Sequence, residues 1–236
     1  MDVPPHPHIG LATVTWVLEG ELAHRDSLGS HQVIRPGAVN WMTAGRGIVH
    51  SERSAEEGRG ERRRIHGLQL WVALPVEHEE CAPSLHHVAA AELPEVEQDG
   101  VRLRILAGSA WGVTSRVPTH SSLFCVEATV SAKGELALPE EHPERAAYLL
   151  HGDVVVGERR FEAGRLLVFA EGAVRMRAPA GGRMLLLGGR PVGQRFMEWT
   201  FVSSRRERIA QARDDWREGR FPTVPGDEEE RVPLPG

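Results

Sequence analysis

Positions 41–52 of the chain read WMTAGRGIVHSE. The apolar, aromatic start of this stretch runs into the glycine turn AGRG at positions 44–47, and a second apolar run then leads to His50 and Glu52. Short apolar runs bounded by glycine turns are typical of β-strands. The stretch therefore predicts two strands joined by a turn, with His50 and Glu52 on the second strand.

Strand-like segments of the same kind continue on both sides of this stretch. They are short, rich in β-branched and aromatic residues, and separated by Gly, Pro and Asp turns, which is the pattern of a β-sandwich or β-barrel. The sequence therefore predicts an all-β protein. The clearest of these segments lie at positions 11–19, 68–74, 101–106, 122–130, 147–156 and 166–169.

The two halves of the chain share a short sequence motif that indicates a duplicated barrel. WVLEGE at positions 16–21 resembles YLLHGD at positions 148–153, and a glycine turn follows each motif. Between positions 77 and 100 the composition shifts towards Glu, Pro, His and Ala, which is typical of a connection between domains. We predict a first domain over residues 1–90 and a second domain over residues 91–236.

One helix is predicted near the C-terminus, as part of the second domain. Ser204 and Glu207 have the spacing of a capping box, in which each side chain bonds the backbone amide of the other residue. Ile209 and Trp216 follow at helical spacing. The prediction is a helix over residues 205–218 that lays its apolar face on a barrel.

The bulk composition excludes several classes of protein. With 41% hydrophobic residues, the chain is not a disordered protein. Its 28 basic and 33 acidic residues give a formal charge of -5, without the basic excess of a phosphate-backbone binder. No apolar run approaches the roughly 20 residues of a membrane-spanning helix, and no secretory signal is visible. We expect a cytoplasmic protein without nucleic-acid or membrane contacts, in which Cys81 and Cys125 are reduced packing residues.

Two pairs of polar residues carry the candidate chemistry. His6 and His8 form one pair, and His50 and Glu52 form the other, each with a spacing of two residues. On a strand this spacing sends both side chains to the same face, so two neighbouring strands can aim four donor groups at one point inside a barrel. Three imidazoles and one carboxylate suit Fe(II), with Mn, Ni, Cu, Co or Zn also possible. The other histidines, His24 among them, have no matching partner and are expected at the surface or around the site.

Taken together, these stretches resemble the signature of the pirin family across nearly the whole chain. The central motif is the stretch at positions 41–52, which is long and specific. The other motifs are HPHIGLATVT at 6–15, LEGE at 18–21, HRDSLG at 24–29, HGLQLWV at 66–72 and FVSS at 201–204, with the helix and Phe221-Pro222 after them.

The resemblance implies a bicupin, with two antiparallel cupin barrels and one mononuclear iron in the first. The positions that match the family's ligands are His6, His8, His50 and Glu52, the same four that the spacing selects. Many cupins have a further carboxylate four residues after the first histidine pair, but this position is Ala12 here, so Glu52 must be the anionic ligand. The second barrel has no His-x-His pair, which agrees with a family whose C-terminal barrel is usually empty.

One departure from the family concerns the start of the chain. Pirins carry several dozen residues before the His-Pro-His motif, whereas five residues precede His6 here. We expect the first barrel to lack its usual first strands and to expose an apolar sheet edge, which would lower solubility. A comparison of solubility and metal content between this chain and one extended upstream tests this expectation.

The resemblance also implies two functions of different classes. The first is a metal-dependent dioxygenase acting on a small aromatic substrate, a flavonol such as quercetin, with Glu52 as the base that takes a hydroxyl proton. The second is a non-enzymatic regulator that senses iron redox state and binds protein partners, with the arginine-rich loop at residues 59–64 as a contact. A metal-free structural bicupin is a third interpretation, and metal analysis separates it from the other two.

Overall fold

The computed structural model describes residues 2–55 and 64–235 of the chain. Within those residues the structure consists of antiparallel β-sheets, two short 3-10 helices (Val76–His78 and Ala90–Glu92) and one α-helix near the C-terminus. The strands are short and follow the glycine turns closely, as the sequence pattern predicts. The predicted all-β class and the terminal helix are therefore confirmed.

The chain divides into two compact units, and the second lies between two segments of the first in the sequence. One unit combines residues 1–91 with residues 192–236, and the other consists of residues 92–191. The predicted boundary near residue 90 lies close to the start of the second unit, whereas the predicted second domain, residues 91–236, also includes the helix and tail that this division places with the first unit. The helix belongs to the first unit because its apolar face packs on Ile9 and Phe201.

The first unit begins with eight strands among its described residues. They are β1 (Val3–His8), β2 (Leu11–Glu19), β3 (Leu22–Asp26), β4 (His31–Ile34), β5 (Val39–Thr43), β6 (Ile48–Ser54), β7 (His66–Ala73) and β8 (Ser84–Val88). One sheet has the order β1-β6-β3-β4 and the other the order β7-β2-β5-β8. Because β1 and β6 are neighbours, the two predicted pairs of polar residues lie on adjacent strands.

The second unit contains the next strands of the chain. They are β9 (Glu95–Gln98), β10 (Val101–Ala110), β11 (Val113–Thr114), β12 (Leu123–Val130), β13 (Gly134–Ala137), β14 (Glu144–His151), β15 (Val154–Val156), β16 (Arg159–Phe161), β17 (Leu166–Phe169), β18 (Arg175–Ala178) and β19 (Gly182–Gly189). The larger sheet has the order β11-β10-β12-β19-β14-β17, with β9 paired to β10, and the smaller sheet has the order β13-β18-β15-β16. Alternate residues of β10 and β14, such as Leu103 and Leu149, point into one apolar core.

The chain returns to the first unit with a hairpin of β20 (Phe196–Glu198) and β21 (Phe201–Ser203), followed by α1 (Arg206–Arg217). The helix buries Ile209 and Trp216, as its apolar spacing predicts. The predicted capping box does not form, because Ser204 donates its hydroxyl and its backbone amide to the buried carboxylate of Glu79 instead. In the part of the chain that is described, no helix has the length and apolar character needed to span a membrane.

The C-terminal tail runs beside the strands that carry the polar pairs. The Val232 amide donates to the Pro5 carbonyl over 2.9 Å, and the Trp216 indole donates to the Val232 carbonyl over 3.0 Å. On β6, Arg53 makes a two-pronged ion pair with Asp227, at 2.8 and 2.9 Å. The tail therefore ties α1 to both β1 and β6.

One edge of the first unit exposes an aromatic side chain. β7 is the outer strand of the sheet β7-β2-β5-β8 among the described residues, and Trp71 on this strand is 42% exposed. The expected loss of solubility from an apolar edge stays a prediction.

Candidate metal centre

The register between β1 and β6 brings three histidines together. His6 lies opposite His50, and His8 lies two residues further along the same strand. Opposed residues of an antiparallel pair, and residues two apart on one strand, share a face of the sheet. One candidate ligand atom from each of His6, His8 and His50 lies within 4.8 Å of those from the other two. These three residues are termed the histidine cluster.

The distances within the histidine cluster suit the coordination of one ion. His8 Nε2 and His50 Nε2 are 3.1 Å apart. Two nitrogens that are each roughly 2.0–2.1 Å from a metal, at a right angle, are about 3 Å from each other. His6 donates its Nδ1 proton to the Pro4 carbonyl over 3.0 Å, which leaves the Nε2 lone pair available to bind a metal.

Burial keeps the histidine cluster in its neutral form. His8 and His50 are 0% and 1% exposed, and burial, with further lowering by neighbouring histidines, holds the pKa of each well below its usual 6.5. Burial also lowers the pKa of His6, although the hydrogen bond to Pro4 opposes part of this effect. Neutral imidazole is the form that binds metals. Three neutral, buried imidazoles therefore fit a divalent transition metal, and the set alone does not choose among such metals.

Glu52 lies close to the histidine cluster but is not part of it. Its carboxylate accepts a short hydrogen bond from Gln69 Nε2, which also donates to Thr15 Oγ1 over 3.1 Å. Burial raises the pKa of Glu52, while His24 and the Gln69 hydrogen bond oppose this shift. Of the four predicted ligands, the structure thus gathers three, and ligation by Glu52 stays a prediction.

A cavity of about 290 Å³ opens beside Glu52 in the first unit. Its polar lining is Thr15, Glu52 and Gln69, and its apolar lining includes Leu22, Ile65 and Leu68. Glu52 therefore faces this cavity, and His50, two residues earlier on β6, belongs to the histidine cluster. This space is termed the Glu52 cavity.

Two residues behind the cluster were missed by the sequence interpretation. His24 is buried beside the cluster, where it makes a 3.1 Å hydrogen bond to Asp26 and a 3.4 Å hydrogen bond to His50. Burial alone would raise the pKa of Asp26, but hydrogen bonds from His24 and Ser30 outweigh it, so the pKa of Asp26 is lowered. The signal was present in the sequence, since His24 and Asp26 have the same two-residue spacing as the predicted ligand pairs.

Comparison with known proteins shows which family this architecture belongs to. Residues 1–72 match the family model described as Pirin, and residues 125–222 match the model described as Pirin C-terminal cupin domain. A "Pirin-like protein" of Caulobacter vibrioides is 50% identical over 236 residues, which cover 99% of this chain and 82% of that protein. The chain belongs to the pirin family. The resemblance that the motifs indicated is therefore confirmed.

Other pirin relatives agree with this assignment. A Pseudomonas aeruginosa protein named "Putative quercetin 2,3-dioxygenase" is 40% identical over 223 residues, with 93% of this chain and 69% of that protein covered. The crystal structure of a quercetin 2,3-dioxygenase from Acinetobacter baumannii superposes with a TM-score of 0.90 at 34% identity, over 100% of this chain and 79% of that one. The predicted bicupin fold is confirmed by this likeness and by the match to the cupin domain.

Proposed function

We propose that this pirin is a metal-dependent dioxygenase acting on a flavonol such as quercetin, with one iron held by the histidine cluster and Glu52. The main support is the position of three neutral, buried imidazoles next to an acid that lines a cavity. The names of the Pseudomonas and Acinetobacter relatives support the same class of substrate.

In this proposal the histidine cluster would bind the metal and the Glu52 cavity would bind the substrate. Iron, when bound, supplies the redox chemistry that a reaction with O2 needs. Three imidazole nitrogens, with Glu52 as a fourth donor, would leave other coordination positions open, as in non-haem iron oxygenases with few protein ligands. His6, His8 and His50 would therefore hold the ion without closing it off from a substrate.

The Glu52 cavity has the mixed lining that a polyphenol needs. Leu22, Ile65 and Leu68 offer apolar surface to aromatic rings, and Thr15 offers a hydroxyl group to the polar substituents. Glu52 would accept the proton of a substrate hydroxyl, because its raised pKa lies nearer to neutrality than that of an exposed acid. The Gln69 hydrogen bond would hold the carboxylate in place during this transfer.

Turnover of quercetin by metal-loaded protein tests the proposal. Metal-free protein is loaded with Fe(II), and in parallel with Mn(II), Co(II) and Ni(II), and quercetin loss and O2 uptake are followed. We expect metal-dependent turnover that His50→Ala abolishes and that His31→Gln, at an exposed position, leaves unchanged. Metal-loaded protein that consumes neither quercetin nor O2 would remove the dioxygenase proposal.

Glu52→Gln separates the two roles proposed for this acid. The amide keeps the size of the side chain but is no base, so proton transfer predicts a loss of kcat by about 10²–10⁴ with the metal still bound. A ligand role predicts weaker metal binding in addition. Unchanged kcat and unchanged affinity would exclude both roles.

The regulatory alternative has less support from the described residues. Of the arginine-rich loop at residues 59–64, residues 59–63 lie outside the described part of the chain. Arg64 is described, and its side chain forms an exposed ion pair with Glu19 at 3.3 Å. Exposed ion pairs of this kind contribute little to stability, and this one does not point to a partner. A protein partner that senses the iron redox state therefore stays an expectation from the family resemblance.

A further inference from the structure

His24 and Asp26 lie directly behind His50, on the side of its ring opposite the ligand atom. His24 Nδ1 is 3.4 Å from His50 Nδ1, a long hydrogen bond, and His24 Nε2 is 3.1 Å from Asp26 Oδ2. All three side chains are buried. The contacts follow from the strand register, because β3 pairs with β6 and places Asp26 opposite His50. The result is a continuous chain of hydrogen bonds from an acid to a candidate ligand.

One set of proton positions satisfies this chain. An ionised carboxylate only accepts hydrogen bonds, so His24 Nε2 must carry the proton that Asp26 accepts. A neutral imidazole with its proton on Nε2 has a lone pair on Nδ1, so His24 accepts the Nδ1 proton of His50. His50 is left with its lone pair on Nε2, the atom that lies 3.1 Å from His8 Nε2. This series of hydrogen bonds thus selects the tautomer of His50 that can bind a metal within the histidine cluster.

The backbone fixes the orientation of the Asp26 carboxylate. Asp26 Oδ1 accepts hydrogen bonds from the backbone amides of Leu28 and Ser30, at 2.9 and 3.1 Å, in the turn that follows β3. Both of these groups are donors, so an oxygen must face them. The other carboxylate oxygen, Oδ2, is therefore held towards His24.

We propose that Asp26 and His24 are positioning residues that fix the tautomer and ring orientation of His50 for a divalent transition metal in the histidine cluster. Partners of this kind orient a ligand imidazole and raise its basicity. His6 has a simpler support, the neutral carbonyl of Pro4. His50 is instead backed by a second imidazole and, behind it, a negative charge. The inference rests on the proposed function only for its metal centre, and it does not depend on which reaction the metal performs.

Asp26→Asn is the sharpest test, because it replaces one carboxylate oxygen by an NH2 group and removes the negative charge with almost no change in volume. The amide oxygen stays on the two backbone amides of the turn, so the amide nitrogen faces His24 and can only donate. His24 must then accept at Nε2 and carry its proton on Nδ1, facing the Nδ1 proton of His50. Relief of this clash puts the His50 proton on Nε2, where it blocks metal binding. We expect the affinity for Co(II), measured by competition with a chelator, to fall by about 10–100-fold.

Two substitutions of His24 form a matched pair. His24→Leu leaves the Nδ1 proton of His50 without an acceptor, and we expect a loss of Co(II) affinity of about 10–100-fold. His24→Asn places an amide oxygen near the former Nδ1 and should restore much of this affinity. The control is His31→Asn, at an exposed position on the neighbouring strand β4, which should bind Co(II) as the wild type does.

A spectroscopic measurement separates positioning from a general loss of structure. In Zn(II)-loaded wild-type protein, the ¹⁵N NMR spectrum should show His50 with its proton on Nδ1 and zinc on Nε2. Asp26→Asn should lose this signature while the signals of His6 remain. Wild-type affinity and an unchanged His50 signature in both Asp26→Asn and His24→Leu would overturn the inference. If the variants lose Co(II) affinity but the wild type does not turn over quercetin, the positioning roles of Asp26 and His24 are supported and only the dioxygenase proposal is removed. A wild type that binds no Co(II) would overturn both the positioning proposal and the dioxygenase proposal.

Discussion

Gly10 offers a quantitative test of how β1 is held in place. It lies between β1 and β2 with φ +67°, and a Cβ at this position would be 1.9 Å from the carbonyl oxygen of Val202 on β21. The backbones of Gly10 and Val202 cannot move apart independently, because the Val202 amide donates to the carbonyl of Ile9, the residue before Gly10, over 3.1 Å. Gly10→Ala must therefore shift β21 or the corner that follows His8.

The expected cost of Gly10→Ala has three parts. A left-handed conformation costs about 1–2 kcal/mol for an L-residue with a Cβ. Overpacking a well-packed interior costs about 1–3 kcal/mol, and the loss of the hydrogen bond between Val202 and Ile9 costs about 1 kcal/mol. We therefore expect the free energy of unfolding to fall by about 3–6 kcal/mol, a large share of the 5–15 kcal/mol that is typical of whole proteins.

Gly29→Ala is the matched control for this prediction. Gly29 also has a positive φ, +86°, but a Cβ there meets no atom within 4 Å, so only the conformational cost of about 1–2 kcal/mol applies. Urea unfolding followed by tryptophan fluorescence measures both variants. If Gly10→Ala loses no more stability than Gly29→Ala, the close approach of β21 to the β1–β2 corner is wrong.

Three further predictions concern acidity, the helix and the thiols. Because the pKa values of the histidine cluster are lowered on folding, the unfolded chain binds more protons below about pH 6.5, so metal-free protein should lose stability as the pH falls from about 7.5 to 5.5. The raised pKa of Glu52 has the opposite effect on stability, and Glu52→Gln removes it. If this variant loses no stability between about pH 7.5 and 5.5 in unfolding experiments, the prediction is wrong. Trp216→Ala should lower the free energy of unfolding by about 3–5 kcal/mol, and a loss below 1 kcal/mol would mean that α1 does not stabilise the first unit. Burial raises the pKa of both thiols, to about 12 for Cys125, and Cys81 is partly exposed. A thiol reagent at about pH 8 should therefore label Cys81 and spare Cys125, and equal labelling of both would contradict this burial.

The strands and the histidine cluster could be predicted from the sequence because both follow from local spacing. A two-residue period fixes which side chains share a face, so His6, His8 and His50 needed only the pairing of β1 with β6 to meet. The orientation of Glu52 could not be predicted in this way. It depends on contacts with other strands, such as the hydrogen bond that its carboxylate accepts from Gln69 on β7.

In the C-terminal region, contacts between residues distant in sequence take the place of local ones. α1 follows the second unit in the chain but packs on Ile9, and a bridge between Ile9 and Phe201 ties β21 to the start of the chain. Likewise, Ser204 bonds Glu79 instead of its local partner Glu207. Local spacing gives no information on either contact.

Metal binding by the histidine cluster is the claim on which the proposed chemistry depends. Anaerobic titration of metal-free protein with Fe(II), with bound metal counted by elemental analysis, tests it most directly. We expect one ion per chain for the wild type and none for His8→Ala, with both proteins folded by circular dichroism. A folded wild type that retains no iron, or a His8→Ala variant that retains as much, would contradict it.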